Sequence, residues 1–250
     1  MRRACLPGCG AFVTASDTLG ACTVDVTTKS VRGGVLTREQ FLPHEMRIVA
    51  ALRAQGASDD QVIVRVKSDN LFQYPTERMV ANRATVCLRR LDAIVPTDAA
   101  CSVRGIDPNI AVEAASSLTR LMASGTPTQA DQAIFYSMIC RYDIVRELVL
   151  VEVGERLQNF DYAFTAADLN AFMTRFTTEY PDAARWTEST VTRIKGSLRQ
   201  TLRHAGLIGE SKGPESERLS PLFLDPDVEQ ALVQLGEQPL IAALTGRAVM

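Results

Sequence analysis

Apolar residues recur at spacings of three and four along most of the chain from Phe41 onward, and that period predicts helices rather than strands. A first helix is expected over about Arg38 to Gln55 on Phe41, Ile48, Val49 and Leu52, with Pro43 as the point where its regular part begins and Gly56 as its stop. Ser58 and Asp59 cap a short second helix carrying Val62, Val64 and Val66, although that alternation also fits a strand. Thr76 caps a third, Glu77 to Ile94, with Val80, Ala84, Cys87, Leu88 and Leu91 facing the core and Arg78, Asn82 and Arg89 facing out. Further on, the pattern predicts helices over about Asn109 to Ala123, Thr128 to Asn159 with a bend at Tyr142-Asp143, and Ala166 to Tyr180 on Leu169, Phe172, Met173 and Phe176. Two short closing helices run from Pro226 to Leu235 and from Pro239 to Leu244.

The most sharply patterned stretch is Trp186 to Gly209. Thr187 or Ser189 supplies the cap, Glu188 sits where the helix dipole favours an acid, and Gly206 closes the far end. Val191, Ile194, Leu198, Leu202 and Ala205 fall on one side, while Lys195, Arg199 and Arg203 follow at spacing four along its margin, with Arg193 on the outer surface. An oily flank that fixes orientation beside a row of cations suits contact with backbone phosphates, and it equally describes a solvated surface helix. After it come Leu207-Ile208, a polar tip of mixed charge from Glu210 to Arg218, and the apolar run Leu219 to Leu224. Helix, strand, tip, strand is the order of a winged helix. The three N-terminal helices, the third of them basic, likewise suggest a helix-turn-helix, with Arg78 and Arg89 as secondary phosphate contacts.

The expected fold is all-α: a multi-helix bundle with a helix-turn-helix-like N-terminal part and a winged-helix-like C-terminal part, a small β-hairpin being possible. Three regions are expected. Residues 1–35, rich in Gly, Thr, Ser, Ala and Cys without sustained periodicity, read as a disordered extension. Residues 36–98 form a helical domain, and the Pro- and Gly-bearing connector from Pro96 to Pro108 leads into a second, 99–250, whose winged-helix-like segment is 165–226.

Charge narrows the function. With 27 basic and 29 acidic residues the net charge is -2, so any polyanion must be met by a local patch rather than a basic coat. No apolar run approaches the length of a membrane span, and a cytoplasmic, monomeric protein is expected. Six cysteines show no paired metal spacing and read as free thiols; Cys5, Cys9 and Cys22 lack a fourth ligand. Arg2-Arg3 with Leu19-Gly20-Ala21-Cys22 only faintly suggests a lipoprotein leader, since Pro7, Asp17 and several glycines interrupt the apolar stretch. Phosphate-loop, dinucleotide, zincin and serine-hydrolase motifs are missing, and the two histidines, His44 and His204, lie far apart. Neither catalysis nor a metal or cofactor is expected.

Five phrases in order carry a family likeness: Ser68-Asp69-Asn70-Leu71, Val86-Cys87-Leu88-Arg89-Arg90-Leu91, Arg141-Tyr142-Asp143, Trp186-Thr187-Glu188-Ser189-Thr190, and Leu202-Arg203-His204-Ala205-Gly206-Leu207-Ile208. Over about Leu36 to Leu235 the chain resembles the BrxA family, accessory proteins of BREX bacteriophage-exclusion systems. The resemblance implies an all-helical protein that binds double-stranded DNA without acting on it chemically and works with other BREX proteins. Two rival readings remain: a protein-interaction module assembling defence subunits, and a winged-helix transcription regulator.

Overall fold

The computed structural model describes residues 31–209 and 217–247. The expectations for residues 1–30, including Cys5, Cys9 and Cys22, and for the tip at 210–216 lie outside the described residues.

The described residues are mostly helical, and local chemistry sets most helix starts. A 3-10 turn, Gly34–Thr37, precedes α1 (Pro43–Ala54). Ser58 and Gln61 form a reciprocal capping box for α2 (Asp59–Ser68), and Thr76 caps α3 (Glu77–Ile94). Thr97 caps α4 (Asp98–Arg104), after which Asp107 with Pro108 opens α5 (Pro108–Ser124). A second capping box, Thr126 with Gln129, opens α6 (Pro127–Arg141). Then come α7 (Asp143–Glu147), a π-helical stretch Leu148–Val153, and α8 (Gly154–Gln158). Thr165 with Asp168 opens α9 (Ala166–Glu179), and Thr187 caps α10 (Glu188–His204). The chain closes with α11 (Pro226–Gln234) and α12 (Gln238–Thr245).

Two expectations need correction, while the expected bend at Tyr142-Asp143 is present. The connector between Pro96 and Pro108 holds α4, whose Cys101 is buried; across it α5 packs on α1, α3 packs on α6, and one hydrophobic cluster takes in residues from Leu36 to Leu244. The bend expected at Tyr142-Asp143 in the long helix from 128 is a full interruption at Tyr142, which is extended. Val31 is the cause: its N–H donates to the Arg141 carbonyl at 2.8 Å and its carbonyl accepts from the Asp143 N–H at 2.9 Å, replacing helical bonds. Finally, strand pairing after α10 is minimal. Among the described residues it consists of single antiparallel bridges, Ile208 with Leu219 and Ala163 with Arg218. The run expected to continue to Leu224 leaves this pairing at Pro221, which has no N–H to give, and the Leu222 N–H instead donates to the carbonyl of Leu244 in the last turn of α12.

Candidate nucleic-acid interface

Helix α10 is anchored through its apolar flank, where Ile194, Leu198 and Leu202 are buried with Thr201. Each margin of that flank is also tied to a neighbour. On one side, the Ser197 hydroxyl donates to the Leu36 carbonyl at 3.0 Å, and the His204 ring stacks on Phe41 at 4.8 Å between centroids. The same Leu36–Phe41 segment is gripped from α3: Arg83 donates to the Arg38 carbonyl, and Arg90 donates to the carbonyls of Glu39, Gln40 and Phe41 at 2.9, 2.6 and 3.0 Å. One stretch of backbone thus fastens α10 to α3.

On the other margin lies the row of cations expected to face phosphates, and it does not stand free. The Lys195 ammonium donates to the Asn170 side-chain oxygen of α9 at 2.7 Å. Arg199 and Arg203 share the carboxylate of Glu217, the former with its Nε at 2.7 Å; the Glu217 side chain has no solvent exposure. Arg199 Nη2 is buried without a hydrogen-bond partner, whereas Arg203 keeps 42% of its side chain exposed. The physical reason is desolvation: an unpaired carboxylate at Glu217 would be costly in this buried position, and two guanidinium groups neutralise it. In sequence Glu217 belongs to the mixed-charge tip, 14 and 18 residues from the two arginines, so no helical spacing could place it there.

The remaining predicted residues are exposed. Arg193 lies on the outer surface of α10 and makes no ion pair among the described residues. Arg78 and Arg89 do the same on α3, where spacings of four, three and four align Arg78, Asn82, Thr85 and Arg89 on one stripe. Most of the other α3 side chains from Val80 onward are buried or partly buried, with Arg90 wholly buried. Arg218, beside the bridge to Ala163, is a further exposed cation.

Two acids elsewhere have structural partners, and burial sets the state of two thiols. Tyr74 donates its hydroxyl proton to Glu45, while Asp168 serves the α9 capping box and pairs with Arg156 at 2.8 Å. Burial pushes the Cys87 and Cys140 thiols up to about 12, which leaves them protonated and poorly nucleophilic. No group of three His, Cys, Asp or Glu among the described residues is placed to hold a metal ion, and none of their helices is long and apolar enough to cross a membrane.

Comparison with known proteins agrees with this helical core. The model of the BrxA family matches residues 34–236. A curated relative, the BREX protein BrxA of Escherichia coli O9:H4 (strain HS), is 23% identical over 127 residues, which are 51% of this chain and 58% of that protein. A crystal structure of an uncharacterized protein from Magnetospirillum magneticum shares the fold at a TM-score of 0.65 with 18% identity, covering 85% of this chain and 97% of the other.

Proposed function

The chain belongs to the BrxA family of BREX bacteriophage-exclusion systems, and on that premise we propose that it is a non-enzymatic, double-stranded DNA-binding accessory of such a system, cytoplasmic and monomeric. The observation that carries this reading is α10: a helix pinned through its core face and both margins, with Arg193 and the exposed part of Arg203 turned outward. The elements around it support a winged-helix-like arrangement. An extended segment at 162–164, then α9, α10, a second extended segment at 207–208 and a third at 218–220 follow one another, and the third bridges both others. In that arrangement α10 takes the place of the recognition helix. Exposed Arg78 and Arg89 on α3 and Arg218 in the bridge to Ala163 are further cations open to a polyanion.

Binding through arginines to phosphates is weakly dependent on sequence and strongly dependent on salt. The purified protein should therefore retard a random-sequence duplex at low salt and release it as salt rises. Absence of any duplex binding at low salt would count against this reading. It would favour a protein-interaction module instead, a reading supported by Phe223, 92% exposed, and Phe160, 75% exposed. Pull-down of other BREX components with DNA absent separates the two.

A further inference from the structure

Gly196 lies near the middle of α10, a position where glycine is less favourable than alanine because it surrenders more backbone freedom. Neither backbone nor packing calls for it. Its φ is not positive, and a Cβ built there would meet nothing within 4 Å. On its stripe, spacings of four and three align Ser189, Arg193, Gly196, Gln200 and Arg203, all of them exposed and none acidic. The stripe thus has a recess at its centre with one arginine on either side. Most of the rest of the helix is engaged by the core, Leu36, Asn170 and Glu217, with Glu188 and Thr192 exposed beside the stripe.

We infer that this outer face, rather than the Lys195–Arg199 margin, is the surface that the DNA duplex approaches, and that Gly196 is the point of closest approach. The inference rests on the DNA-binding reading and names its contact surface. Charge complementarity selects the occupant: Arg193, and the exposed part of Arg203 while its guanidinium stays on Glu217, reach backbone phosphates on either side, and Gln200 and Ser189 offer hydrogen bonds. The missing side chain lets the sugar-phosphate backbone come nearer the helix than a Cβ would allow. Gly196 is therefore a positioning residue.

The test exploits opposite signs. Gly196→Ala removes an unfavourable helix residue, so it should raise Tm by roughly 2 °C. It should nevertheless weaken binding of a random-sequence duplex in an anisotropy titration at low salt, and Gly196→Gln should weaken it by about tenfold, equivalent to losing one or two phosphate contacts. Wild-type protein that binds the duplex while both variants bind equally well would overturn the inference and leave the DNA-binding reading standing. Wild-type protein that fails to bind the duplex at all would remove that reading first. The alanine variant keeps the test decisive should the glutamine variant fold poorly, because its own stability is expected to rise.

Discussion

At the scale of single residues, charged groups in the interior tie together segments that are distant in sequence. Arg90 is fully buried and meets no carboxylate directly; it satisfies three consecutive carbonyls and donates its Nε–H to the Tyr142 hydroxyl at 3.1 Å, which in turn donates to Glu39 at 2.5 Å. Arg90→Leu would leave those carbonyls without partners in a closed space. Unfolding in urea should show a loss of about 3 kcal/mol or more, and a variant within about 0.5 kcal/mol of wild type would refute this role. Glu237 is the counterpart near the other end of the chain, buried with Arg146 at 2.9 Å and Arg104 at 2.9 Å. Burial raises its pKa, but Arg146 and then Arg104 outweigh burial and hold the carboxyl below its usual value of 4.5. A folded pKa below the unfolded one means that the stabilisation is present above about pH 4.5 and is lost as pH falls through the folded value. Glu237→Gln should accordingly lower Tm at pH 7 and flatten the acid limb of the Tm profile below about pH 5; an acid limb parallel to wild type would show that Glu237 does not govern it. Residues of this kind are poorly legible in sequence. Arg90 sits at the edge of an apolar stripe and reads as a flanking cation, and its real partners, the carbonyls at 39–41, carry no side-chain signal.

At the scale of elements, strong periodicity and end caps were enough to mark α3 and the start of α10, where Thr76 and Thr187 precede long amphipathic runs. The period failed where tertiary contacts decide. α4 has only seven residues and one buried side chain, Cys101, too little to repeat a pattern between two prolines. The bend at Tyr142-Asp143 was expected, but the residue that holds it open, Val31, lies more than a hundred residues earlier in the chain, and the π-helical stretch after it packs against α12. Gly154 at the end of that stretch shows why the packing is tight: an added Cβ would lie 2.8 Å from the Cβ of Ala243. Gly154→Ala should therefore destabilise the protein by about 1–3 kcal/mol despite alanine's better helix propensity, and a rise in Tm would contradict this packing. The two exposed-helix and buried-helix glycines thus make opposite predictions for the same substitution. Environment, not residue type, separates Gly196 from Gly154.

For the whole molecule, a single core joins the N-terminal helices to the rest, so α3 and α10 are held in fixed relation through the segment from Leu36 to Phe41. That relation lets exposed cations on two helices belong to one rigid body even though the chain's net charge is -2. Arg193, Arg78 and Arg89 were legible as outward-facing from helical spacing alone. The fate of Arg199 and Arg203 was not, because the carboxylate that claims them follows the tip rather than the helix. The most direct test of the account is the slope of log affinity for a random-sequence duplex against log salt concentration, measured for wild type and for Arg193→Ala. The account predicts duplex binding that weakens steeply with salt, and a slope shallower by about one for the variant, corresponding to one lost phosphate contact. A slope and affinity unchanged by Arg193→Ala, or no duplex bound even at the lowest salt, would contradict it.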